Sequence, residues 1–129
     1  MLKSTARSIR ELLDEQRLLA IAVLADGAPY AGLLPFVVLP AYRGVLIHAS
    51  RLSKHTQGLT AGARIGVLLH EQYAEGKDPL QIKRAMLECI VHPLERKSPE
   101  WEEGRSRYLE RFPDSRITFN LGDFTLYRL

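Results

Sequence analysis

A chain of 129 residues, 46% hydrophobic and 26% charged, has the make-up of a globular domain and excludes a disordered tail or low-complexity array; residues 1–129 are expected to form one domain around one core. No apolar run reaches the roughly 18–20 residues that span a bilayer, the N-terminus carries charge where a signal peptide is apolar, and the lone Cys89 allows neither an internal disulfide nor a thiolate metal pair, so the chain reads as cytoplasmic. The net charge of +3 is spread among acids and the aromatic share is 8%, a pattern that gives no support to nucleic-acid binding.

The first expected element is a helix capped by Ser4 or Thr5, with Ile9, Leu12 and Leu13 on one side. Leu18 to Leu24 is uniformly apolar, Asp26-Gly27 supplies the left-handed residues of a tight hairpin, and Ala28 to Leu39 returns as a second strand. Pro35 falls in the middle of that return, where it removes a ladder donor and marks an edge or a bulge. Its bare backbone suits an ordinary edge and a surface facing a ligand equally well. Pro40 to Gly44 then turns the chain into a third strand, Val45 to Ala49.

From Ile47 to Leu59 the chain reads I-H-A-S-R-L-S-K-H-T-Q-G-L, a strand tail that crosses Ser50, Arg51 and Ser53 and takes on helical spacing over Ser53 to Ala61. The first turn of a helix leaves N–H groups unpaired at the positive end of its dipole, which favours an anion. Arg51, Lys54, His55 and Thr56 add charge and donors beside it, and an arginine grips phosphate with two parallel hydrogen bonds. The stretch reads as a phosphate seat. It reads also as a surface helix capped by Ser50 or Ser53 with Arg51 and Lys54 in water.

Arg64 to His70 is a fourth strand, a polar loop holds Gly76, Asp78 and Pro79, and a fifth strand runs from Ala85 to Leu94, closed by Pro93. Ser98-Pro99-Glu100 combines a capping hydroxyl, a proline at the first helical position and an early acid, opening a helix that runs to Phe112 and stops at Pro113. Phe124 to Leu129 is the last strand. These pieces make a mainly β (α+β) domain: a six-stranded antiparallel split β-barrel with peripheral helices.

No catalytic constellation emerges. His48, His55, His70 and His92 lie far apart in sequence, so no helix-borne metal pair exists and no metal site is expected. There is no nucleophile elbow, no P-loop and no dinucleotide-binding glycine pattern. Chemistry, where there is any, would fall to a bound cofactor.

Five segments in order resemble the FMN-binding split-barrel family, the pyridoxamine 5'-phosphate oxidase-like superfamily, close to its haem-utilisation branch. They are D-G-A-P-Y-A-G-L-L-P-F from Asp26, S-R-L-S-K-H-T-Q-G-L from Ser50, D-P-L from Asp78 followed by Arg84, R-Y-L-E-R-F-P-D from Arg107, and G-D-F-T-L-Y-R-L from Gly122. The resemblance implies a homodimer with FMN in each of two clefts between protomers. By that resemblance Ser50, Arg51, His55 and Thr56 would hold the FMN phosphate, and the backbone at Leu34 and Pro35 would lie along the isoalloxazine. Arg84 would be the polar side chain turned toward the flavin, in some members across the dimer.

The chain departs from the family where Gly32 replaces a frequent serine, Gly58 a frequent asparagine and Cys89 a usual glycine. A lost hydroxyl at position 32 would cost about 1.5–3 kcal/mol of phosphate binding. The chain stops at Leu129, without the extension that accompanies haem handling in some relatives, which sets haem degradation below a simpler flavin role. Three readings follow: a flavin-dependent oxidoreductase acting on an unknown small molecule, a module that holds FMN or haem without turnover, and a cofactor-free dimeric interaction protein.

Overall fold

Asp26 and Gly27 set the first hairpin. Both take positive φ, 52° and 76°, and β1 (Leu18–Ala25) folds back on β2 (Ala28–Pro35) along its whole length, Leu18 opposite Pro35 and Ala25 opposite Ala28. The computed structural model describes residues 3–129 as eight strands in two four-stranded antiparallel sheets with three α-helices around them. The first sheet has the order β2-β1-β5-β6, with β5 at Arg64–His70 and β6 at Arg84–Ile90. The second has the order β3-β4-β8-β7, with β3 at Val37–Val38, β4 at Val45–Ser50, β7 at His92–Pro93 and β8 at Phe124–Arg128.

Eight strands stand where six were expected because two long apolar runs break. The expected strand Ala28 to Leu39 is interrupted at Phe36, and the one from Ala85 to Leu94 at Val91. Both residues are completely buried, and at each the chain passes from one sheet to the other. The Phe36 N–H still donates to the Arg17 carbonyl at 3.2 Å and the Val91 N–H to the Ala63 carbonyl at 2.9 Å, each extending the register of the first sheet by one residue before the chain crosses over. Burying the Phe36 ring contributes roughly 1.5–3 kcal/mol, which fixes the break. Pro35 ends β2, an edge strand of the first sheet, where its missing N–H costs no ladder bond.

β4 explains why there are two cores. Val45, Ile47 and Ala49 join Leu19, Ile21, Val67 and Phe36 between the sheets. Leu46, on the opposite face, joins Val37, Trp101, Tyr108, Phe119 and Leu126 under helix α2 (Pro99–Arg111). That helix opens as its sequence requires, the Ser98 hydroxyl accepting from the Trp101 N–H at 3.2 Å. Helix α1 (Lys3–Glu15) buries Leu12 and Leu13 against the first core; it is already helical at Lys3, so Ser4 and Thr5 lie inside its first turn and not before it.

The expected helix Ser53 to Ala61 is replaced by a 3-10 turn over Lys54–Gly58. The third helix is instead α3 (Arg116–Asn120), which carries Phe119 into the second core. Among the described residues no helix is long and apolar enough to cross a membrane.

Candidate functional site

The loop after β4 is tied down by its own backbone. The Arg51 N–H donates to the Asp123 carbonyl at 2.7 Å, the Leu52 N–H to the Ser50 hydroxyl at 3.1 Å, the Ser53 N–H to the Ser50 carbonyl at 3.2 Å, and the Thr56 N–H to the Ser53 carbonyl at 3.1 Å. The N–H groups of Arg51, Leu52, Ser53 and Thr56 are therefore occupied, and the dipole of a long helix is missing. Ser53 makes no capping bond. An anion here would depend mainly on the side chains.

Those side chains do come together around one turn. Arg51 is exposed and donates through Nη2 to the Gly122 carbonyl at 2.9 Å, which leaves its other N–H groups free to face a ligand. Ser50 accepts from Leu52 and keeps its own hydroxyl proton to donate. Thr56 is buried, and its Oγ1 has no hydrogen-bond partner among the described residues; neither has the buried Nε2 of His55. Burial lowers the His55 pKa, holding the ring neutral.

The two glycines have packing reasons. A Cβ on Gly32 would stand 2.6 Å from Nδ1 of His55, so the absent side chain is the space the imidazole fills. A Cβ on Gly58 would stand 2.6 Å from the Val23 Cβ and 2.8 Å from the Leu24 carbonyl oxygen, so this glycine lets the turn close on β1. The family resemblance presents both as departures from its pattern, Gly32 as a lost hydroxyl; the neighbours across the fold supply the other explanation.

Leu34 and Pro35 lie on β2, the strand against which this turn packs, but Leu34 points into the core and offers only its backbone. Arg84 is elsewhere within the chain. It sits on β6, at the opposite margin of the first sheet, and donates to the carbonyls of Ile82 (3.1 Å) and Pro79. With Leu68, His70, Tyr73, Pro79 and Ile82 it lines a cavity of about 390 Å³. The chain thus gathers Ser50, Arg51, His55 and Thr56, with the β2 backbone beside them, and keeps Arg84 apart.

The outer face of the first sheet is a further apolar surface, outside the residues singled out by motif and spacing. The strand registers put Leu33, Ala20, Leu68 and Met86 in one row across all four strands, with Leu33, Leu68 and Met86 exposed by 66%, 42% and 72%. Ala31, Ala22 and Gly66 form a second, small-residue row beside it. The signal was present: β1 is apolar at every position, the pattern of a strand covered on both faces.

No protein-family model matches the chain, and no curated protein sequence does. Solved structures do. HutZ, described as the haem storage protein of Vibrio cholerae, superposes with a TM-score of 0.84 at 26% identity, over 95% of this chain and 87% of that one. A haem-binding protein of Mycobacterium smegmatis gives 0.83 at 21% identity, over all of this chain and 52% of that one, so the chain spans about half of that relative. An FAD-binding protein of Mesorhizobium loti gives 0.73 at 16% identity, over 95% of this chain and 86% of that one. With its two antiparallel sheets, its order of elements and these neighbours, the chain has the split-barrel fold of the pyridoxamine 5'-phosphate oxidase-like superfamily and is similar to members of its haem-utilisation branch.

Proposed function

We propose that this chain is a cytoplasmic FMN-binding protein that works as a homodimer, an oxidoreductase acting on a small molecule in the cleft between two copies. The observation that carries the seat is the pair of orphaned polar atoms, His55 Nε2 and Thr56 Oγ1, beside an exposed Arg51. Each unsatisfied buried polar atom costs about 1–3 kcal/mol, and a phosphate oxygen entering from the Arg51 side would give both a partner. The donor chemistry fits a phosphate: a guanidinium, two hydroxyls and an imidazole N–H. Bound FMN would supply the electron transfer, while these side chains hold and orient it.

Counted as continuous chain, β2 with β3 and β6 with β7 are two bent strands, and in this reading the six resulting strands close a split barrel. The exposed Leu33, Ala20, Leu68 and Met86 row is an apolar face of the kind that pairs two copies. Arg84 and its cavity open on that same face, so a second copy would cover them and bring Arg84 toward the β2 edge of its partner. The haem described for HutZ favours a second reading, in which the same cleft holds haem without turnover.

Titration with FMN tests the seat: Arg51→Ala is expected to weaken binding at least tenfold, the loss of one charge-assisted hydrogen bond being worth about 1.5–3 kcal/mol, and an unchanged affinity rules the seat out. Reduction of bound flavin by a nicotinamide cofactor in the absence of oxygen separates the oxidoreductase from a module that merely holds its ligand.

A further inference from the structure

A groove of about 550 Å³ lies between the Pro40–Gly44 turn and helix α2, at the end of β4 remote from Ser50. Leu39, Leu46 and Gly104 are among its apolar lining, and Arg43, Glu100, Glu103, Arg107 and Arg128 line it with charge. Two of the three lining guanidiniums are neutralised: Arg128 pairs with Glu100 at 2.7 Å, and Arg107 with Glu103 at 3.1 Å. Arg43 has no carboxylate within ion-pair distance among the described residues, which leaves the groove one positive charge in excess.

The turn that carries Arg43 is strained. Ala41 and Tyr42 adopt φ of 58° and 54°, the left-handed region that L residues enter at a cost, and neither is glycine. The turn is held there by the Tyr42 hydroxyl donating to Asp14 Oδ2 at 2.7 Å and the Tyr42 N–H donating to the Leu39 carbonyl at 3.1 Å. Backbone strain kept in place by outside contacts is characteristic of ligand clamps. A partly apolar groove of this volume with one uncompensated cation is the pattern of a small-molecule site.

We propose that this groove binds a small carboxylate with an apolar body, which lays its hydrocarbon on Leu39, Leu46 and Gly104 and its charge against Arg43. The site is separate from the Ser50–Thr56 segment and stands or falls independently of FMN. The test is an amide NMR titration of the full chain with octanoate, octanol and octylammonium. Octanoate is expected to shift the Arg43 and Gly104 amides saturably, roughly ten- to hundredfold more tightly than octanol, with octylammonium weakest. Arg43→Gln should abolish the preference for octanoate over octanol, and Arg43→Lys should restore most of it; Arg43 is exposed, and the amide spectrum of each variant verifies the fold. Equal binding of the three probes, a preference that survives Arg43→Gln, or shifts confined to residues away from the groove would overturn the assignment.

Discussion

The imidazole of His55 rests against Gly32, so close that a Cβ there would lie 2.6 Å from Nδ1 and 2.7 Å from Cγ. This contact joins the β1–β2 hairpin to the turn after β4 and helps to bury the His55 ring. Gly32→Ala must push the ring outward. Burial is what lowers the His55 pKa, so the variant should titrate closer to the ordinary imidazole value, followed by the ring-proton NMR shifts. An unaltered His55 titration would mean the ring does not occupy the space at Gly32.

Gly58 differs in kind, because its neighbours cannot rotate away. The Val23 Cβ and the Leu24 carbonyl at 2.6 and 2.8 Å belong to the framework of β1. Gly58→Ala should cost about 1–3 kcal/mol in urea unfolding, the usual penalty of overpacking, and Gly58→Asn at least as much. A loss of less than roughly half a kcal/mol would contradict the close approach.

His48 links stability to acid. Its ring is stacked on Phe119 at 3.9 Å and 10°, faces Phe124 and the edge of Tyr108, and lies 3.4 Å from the Thr118 hydroxyl. Burial first, and the Arg96 charge second, bring its pKa down to about 4. A histidine held below its unfolded value of about 6.5 binds fewer protons folded than unfolded, so its contribution is full above pH ~6.5 and is lost as pH falls toward 4. The loss should be on the order of 3 kcal/mol. Urea unfolding between about pH 7 and about pH 5, a range that brackets the ordinary imidazole pKa, should show this slope, and His48→Phe should flatten it.

The Pro40–Gly44 turn predicts a gain. Ala41 at φ 58° and ψ 25° is in a region that glycine occupies without a Cβ penalty. Ala41→Gly should therefore stabilise the protein by roughly 0.5–1 kcal/mol, net of the glycine entropy cost, measured as an upward shift in the urea midpoint. A destabilised variant would mean the turn is not strained as described.

How much of this was legible depends on whether the deciding contact is local. Asp26-Gly27 and Ser98-Pro99 carry their structures within three or four residues, and both features formed as expected. The breaks at Phe36 and Val91 were hidden, since an apolar run reads the same whether the strand continues in one sheet or crosses to the other. The segment expected as a helix over Ser53 to Ala61 forms a 3-10 turn that ends at Gly58, where the chain closes on Val23 of β1, a contact distant in sequence, and α3 escaped because its five residues are too short for periodicity to register. For the candidate site, the cluster of Ser50, Arg51, His55 and Thr56 was visible as a contiguous motif. The distance to Arg84 was not, because it depends on the strand order of the first sheet.

The most direct measurement is the visible absorption spectrum of the freshly purified protein, followed by identification of whatever small molecule heat releases from it. The flavin reading requires the two bands of an oxidised isoalloxazine and FMN in the released fraction, or their appearance when FMN is added. A colourless protein whose spectrum and melting temperature ignore added FMN, where a ligand at about 100 times its Kd should add roughly 2.7 kcal/mol, would contradict it, as would a haem spectrum with no flavin.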